Sequence, residues 1–163
     1  MSAVASFNTR VGEDGAEERA KNYVYSFDEL MQGYNLTFSF LKEFGKLYLP
    51  PTGKGKGKHN QACYSNSALK ASAEGLIYVE GYAMPKGLIP ISHAWCVDDE
   101  GKVYDPTWDV GYGVSYFGVP FDPDFVNETA ALTGYWGGIF ESLYLLREKE
   151  PLYEYLKSGV VCE

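Results

Sequence analysis

Long apolar runs are missing from this chain. No stretch approaches the ~18–20 residues that a membrane span requires, so no membrane association is expected. Met1 to Gly15 lacks a basic segment followed by an apolar one, and no secretory leader is expected either. Cysteine is sparse and odd in number, with Cys63, Cys96 and Cys162. That argues against a disulfide framework and for reduced thiols in a cytoplasmic setting. Basic residues are in deficit. Against 22 Asp and Glu stand 14 Lys and Arg, for a formal charge of −8. This is the wrong sign for a partner held through its phosphates, so nucleic acid is not an expected partner. Histidine is scarcest of all. His59 and His93 are the two candidates for any histidine-dependent chemistry.

What is present reads as a folded protein. Hydrophobic residues make up 45% and charged residues 22%, which excludes wholesale disorder. Aromatics stand out at 16%, led by 14 Tyr. A tyrosine buries its ring and keeps a polar tip, which points to a shallow core with aromatic surface clefts. The length of 163 residues suits one domain. Residues 1–20 are polar and aperiodic and predict a flexible or loosely docked arm. Residues 21–163 then form the domain.

The pattern along the domain changes period once. Ser26 and Glu29 fit a capping box, and Leu30, Tyr34, Phe38 and Leu41 recur at helical spacing to about Tyr48, before Pro50 and Pro51. Residues 52–60 alternate glycine with lysine and read as a solvated loop. A second helix is predicted from Gln61 or Cys63 to Ala73, with Asn60 as its cap and Gly75 at its left-handed end. Strands follow over Leu76–Ala83, Ile89–Val97 and Lys102–Asp105, with a turn at Asp98–Gly101. Trp108 to Phe121 is strand or loop, and Asp122-Pro123-Asp124 reads as a turn. Helical segments are predicted over Ile139–Lys149 and Leu152–Leu156, with Pro151 at a helix start. Helices followed by antiparallel strands and a helix give an α+β fold rather than alternating β-α-β.

Three residues in this layout carry chemistry. Opposed residues in a hairpin keep a nearly constant index sum. With Val97 and Lys102 flanking the turn, His93 falls opposite Asp105 to within one residue. A carboxylate against one imidazole nitrogen holds a single tautomer and makes the other nitrogen more basic. Cys63 is the matching nucleophile. A thiol in the first turn of a helix faces the positive end of the backbone dipole, which favours the reactive thiolate. Gln61 and the backbone N–H of Cys63 are the expected donors to an oxyanion. Cys96 neighbours Trp95, points to the opposite face of its strand and is read as core. Cys162 lies in a tail. The cysteines and histidines lack paired metal-ligand spacing, so no metal is expected. The Gly-Lys loop fails as a phosphate-binding loop because Lys58 is followed by His59. It remains a candidate lip that steers an acidic substrate.

Cys63 heading a helix, Ser92-His93-Ala94-Trp95 on a strand and Lys102-Val103-Tyr104-Asp105-Pro106-Thr107-Trp108 on the next resemble the papain-like cysteine hydrolase superfamily, in its transglutaminase-like branch. Tyr116 to Phe121 also resembles small bacterial and phage-type proteins of this general kind. The resemblance spans about residues 60–121. It implies a nucleophile helix packed on a small antiparallel sheet with flanking helices. It implies Cys63 as nucleophile, His93 as base and acid, Asp105 as orienting carboxylate, and Trp95 and Trp108 as supporting rings. The expected activity is a cysteine-dependent hydrolase or acyltransferase on an amide bond of a peptide or protein, with no cofactor. The segment around Cys63 departs from the Gly-x-Cys-Trp form of the better-known branches. The alternative is an acidic binding protein on a hydrolase-like scaffold, such as a phage-encoded inhibitor of a host protein.

Overall fold

The computed structural model describes residues 27–58, 61–146, 149 and 151–162. The arm expected over residues 1–20, the Ser26 cap, His59 and Asn60 lie outside the described residues. The first helix, α1, spans Phe27–Phe44. It is followed by strand β1 (Lys46–Tyr48), helix α2 (Cys63–Glu74), and strands β2 (Ile77–Pro85), β3 (Ile91–Val97), β4 (Val103–Tyr104) and β5 (Gly113–Phe121). Helix α3 (Pro123–Thr133), a 3-10 helix (Phe140–Leu146) and helix α4 (Leu152–Ser158) complete the order. The class is α+β, as the period change predicts. None of the described helices is long and apolar enough to cross a membrane.

All strand pairs are antiparallel, in the order β1-β5-β2-β3-β4. Alternation of side chains divides the interior in two. Tyr78, Ala94, Cys96, Val119 and Phe121 face a core built with α1, α2, α3, the 3-10 helix and α4. Val79, Ala83, Trp95, Val97 and Tyr116 face the other way, around Tyr48 and Val103. Tyr48 on edge strand β1 packs edge-on against Trp95 of β3, with ring centroids 6.0 Å apart, although β5 and β2 lie between them in the sheet. The sheet is therefore strongly curled. The paired glycines Gly81 and Gly118 sit in its middle. A Cβ on Gly118 would stand 2.7 Å from both the Glu80 carbonyl oxygen and the Trp95 ring, so the curl needs glycine there.

Four sequence expectations are corrected. The first helix ends at Phe44, and Lys46–Tyr48 is a strand pairing with Tyr116–Gly118. Tyr48 is drawn into the curled core, and that tertiary contact overrides the helical spacing. Helix α2 begins at Cys63 with Ala62 at its cap position and runs to Glu74, while Gly75 adopts the expected left-handed turn at φ 66°. Asp122-Pro123-Asp124 is not a free turn but a helix start. Asp122 accepts from the Asp124 N–H at 2.7 Å, and Pro123 occupies the first helical position. The segment from Ile139 forms a short 3-10 helix rather than an α-helix running to Lys149.

Candidate active site

Cys63 is the first residue of α2, and its thiol is half-exposed. The helix is anchored at that end through its own sequence. Asn66 Nδ2 donates to Thr107 Oγ1 at 3.0 Å, and Ser67 Oγ donates to the Ala94 carbonyl at 2.9 Å. Asn66 is thus a buried tie to the segment after Asp105. Small residues Ala68 and Ala71 let the helix lie close on the sheet. The thiol end is thereby brought to the strand that carries His93.

His93 Nε2 lies 2.8 Å from Asp105 Oδ2, and both side chains are 2% exposed. The contact forms by a different route from the expected register. Cys96 pairs with Tyr104 and Val97 with Val103, so the ladder runs ahead of the predicted index sum and stops before Asp105. Asp105 reaches His93 because the chain folds back on it. Its Oδ1 accepts from the Thr107 and Trp108 N–H groups at 2.8 and 3.0 Å, a tight turn that fixes the carboxylate. Its Oδ2 also accepts from the Tyr116 hydroxyl at 3.0 Å.

The Cys63 thiol stands beside His93, close enough to favour a proton on the ring. With Nε2 engaged by Asp105, Nδ1 is the nitrogen left for the thiol. Burial alone pulls the His93 pKa down. The Asp105 hydrogen bond and the Cys63 contact outweigh it, and the imidazole is held above its ordinary value. Trp108 lies flat on the ring at 3.8 Å with a 12° tilt, and Trp95 stacks further off at 6.4 Å. The imidazole is enclosed by indoles, while Cys63 keeps access to solvent.

Gln61, the expected oxyanion donor, is exposed in the segment before α2. The N–H of Cys63 belongs to the first helical turn, whose N–H groups have no partners within the helix. Cys96 is fully buried, donates to the Ser67 carbonyl at 3.2 Å and has its thiol pKa pushed up to about 12 by burial. It is a core residue, as its place beside Trp95 predicts. Cys162 is exposed. Among the described residues, no three of His, Cys, Asp and Glu gather to hold a metal ion.

Sequence reasoning misses three neighbours. Tyr116 on β5 and Thr107 contact the site through pairings that no local spacing announces. The third is Glu80, fully buried on β2. Its Oε2 accepts from the Tyr78 hydroxyl at 2.8 Å and the Ile139 N–H at 2.7 Å, and its Oε1 from the Phe140 N–H at 2.8 Å. Burial is the largest effect on it and pushes its pKa to about 7 despite those donors. Glu80 holds the segment before the 3-10 helix over Tyr64, the residue after Cys63. An aromatic cleft lined by Tyr64, Tyr135 and Trp136 runs along this side. No family model, curated protein or solved structure matches the chain.

Proposed function

We propose that the protein is a cysteine-dependent hydrolase or acyltransferase acting on an amide bond, with Cys63, His93 and Asp105 as its triad. The observation that carries the reading is the buried 2.8 Å contact of His93 Nε2 with Asp105, made by an imidazole that stands beside Cys63 at the head of α2. Such a chain of contacts orients a base toward a nucleophile. The fold reading that goes with it is a papain-like core of the transglutaminase-like kind, in which α2 is the nucleophile helix.

The chemistry runs in two halves. His93 Nδ1 takes the thiol proton, and the sulfur attacks the carbonyl carbon of the amide. The Cys63 N–H and the Gln61 side chain donate to the resulting oxyanion. The C–N bond then breaks, His93 returns the proton to the leaving amine, and a thioester remains. Water or a second amine, deprotonated by His93, attacks the thioester and restores the thiol. Peptidase, deamidase and transglutaminase-like outcomes differ in the leaving amine and the acceptor. The substrate is a peptide or protein, no cofactor takes part, and the setting is cytoplasmic.

Iodoacetamide and acyl electrophiles test this directly. Cys63 alkylates faster than Cys96 and Cys162, and His93→Ala slows it while leaving the Cys162 rate unchanged. Equal rates at Cys63 and Cys162 would remove the nucleophile. Turnover by Cys63→Ala of any substrate found for the wild type would do the same. A second reading, an acidic binding or inhibitor protein, is favoured by the charge of −8. It predicts that Cys63→Ala captures the same partner as the wild type and that acyl probes leave Cys63 unlabelled.

A further inference from the structure

Lys54, Lys56 and Lys58 form a basic row in a chain whose formal charge is −8. They alternate with Gly53, Gly55 and Gly57, and the alternation has a structural cause. The segment runs beside residues 106–110, the stretch that follows Asp105. The Lys58 N–H donates to the Pro106 carbonyl at 3.0 Å, and the Val110 N–H donates to the Gly55 carbonyl at 3.1 Å. The Gly57 N–H donates to Asp109 Oδ1 at 2.9 Å. A Cβ on Gly57 would collide with the Thr107 carbonyl, and one on Gly55 would stand 2.8 Å from a Val110 methyl. Residues 106–110 occupy the side on which Gly55 and Gly57 lie, which leaves the lysines to the other side, while Gly53 takes a left-handed turn at φ 98°.

The row is thus a pinned rim and not the free solvated loop that its composition predicts. All three lysines are exposed, and no carboxylate among the described residues pairs with any of them. The rim is fixed to the stretch whose Trp108 covers His93 and whose turn holds Asp105. It leads, a few residues on, into Cys63. Alternate residues of an extended backbone repeat about every 7 Å, the same repeat that alternate acidic side chains have on an extended peptide. Resting on the hydrolase reading above, we propose that Lys54, Lys56 and Lys58 dock an acidic segment of the peptide or protein substrate and so lead its amide to Cys63.

The probes are three fluorescein-labelled peptides of equal length, alternating Gly with Glu, with Ser or with Lys, and a single-stranded oligonucleotide of the same charge as the Glu peptide. Fluorescence anisotropy is read on the full chain, on Cys63→Ala, and on the triple variant Lys54→Gln, Lys56→Gln, Lys58→Gln. The Glu peptide binds the wild type and Cys63→Ala about tenfold tighter than the Ser peptide at low salt, and the preference fades by about 0.5 M salt. The triple variant loses the preference yet keeps the wild-type rate of iodoacetamide alkylation at Cys63. Equal binding of Glu and Ser peptides overturns the proposal, as does an undiminished preference in the triple variant or tighter binding of the oligonucleotide. A charge preference with a Cys63 no faster than Cys162 would remove the enzyme and leave the docking rim. A fast Cys63 with no charge preference would do the reverse.

Discussion

Asp105 accepts four hydrogen bonds, two from its own turn and two from His93 and Tyr116. Asp105→Asn keeps the turn if its remaining oxygen faces the Thr107 and Trp108 N–H groups. The amide nitrogen then faces His93 Nε2, which has to accept. The proton moves to Nδ1 and points at the sulfur, so the ring can no longer act as base there. Alkylation of Cys63 by iodoacetamide is expected to fall by about a hundredfold or more, with Cys162 unaffected. The same variant changes the titration of His93. In the wild type the folded-state pKa is raised. The stability this pair contributes is therefore fully present below the ordinary value of about 6.5 and is lost as pH rises through the folded value. Without the carboxylate, burial dominates and the His93 pKa drops. Proton NMR on a His59→Gln background, which leaves one histidine to follow, reads the shift. An unchanged His93 pKa would contradict the role given to Asp105. Cys63, His93 and Asp105 were legible as a group because a polar loop announces a helix start and a short turn keeps the next two strands together, although Asp105 reaches His93 through its own turn and not through the predicted register. Tyr116 and Asn66 were not, since their partners lie on elements far away in the chain.

At the scale of elements, Glu80 ties β2 to the start of the 3-10 helix. A carboxylate raised from 4.5 to about 7 binds its proton more tightly in the folded than in the unfolded chain. Its contribution to stability is therefore greatest below about 4.5 and falls as pH rises to about 7, by about 3 kcal/mol across the window. Glu80→Gln carries no proton to lose. It leaves one of the three donors facing an amide N–H, at a constant cost of about 1–3 kcal/mol. Urea unfolding of the two proteins at a series of pH values should show the variant gaining on the wild type as pH rises from 4.5 to 8. A gap that stays constant would show that Glu80 does not titrate in this range. The curl of the sheet has its own test. Gly118→Ala pushes a methyl against the Trp95 ring and the Glu80 carbonyl. It is expected to cost about 1–3 kcal/mol and to alter the near-ultraviolet circular dichroism of the buried indole; a neutral substitution would mean the strand has room. Periodicity made α2, β2 and β3 readable, because each has a buried face over most of its length. It failed at β1, whose three residues are separated from the helix by Gly45 alone, and at Asp122, where one side chain serves equally as turn former and as helix cap.

The molecule as a whole has two apolar faces that share the same strands. Tyr78 and Val79 are neighbours on β2, both fully buried, one in the helix-side core and the other inside the curl. Neither core can lose its packing without exposing the sheet that the other needs. The closure of Tyr48 onto Trp95 brings an element that precedes α2 against one that follows it. Such a long-range contact leaves no local mark, which is why the curl was beyond the reach of sequence reasoning while the α+β class was within it. The shared strands predict one cooperative unfolding transition. Far-ultraviolet circular dichroism follows the helices, and near-ultraviolet circular dichroism follows the buried indole of Trp95. Leu156→Ala opens a cavity in the helix-side core and is expected to cost about 2–5 kcal/mol, Leu156 being fully buried there. If the two faces are one unit, its urea midpoint falls equally by both probes, although Leu156 and Trp95 lie on opposite sides of the sheet. A helix signal that melts first while the Trp95 signal holds would divide the molecule. The curled sheet would then stand alone, and the thiol of Cys63, carried by a helix, would separate from His93 before the fold was lost.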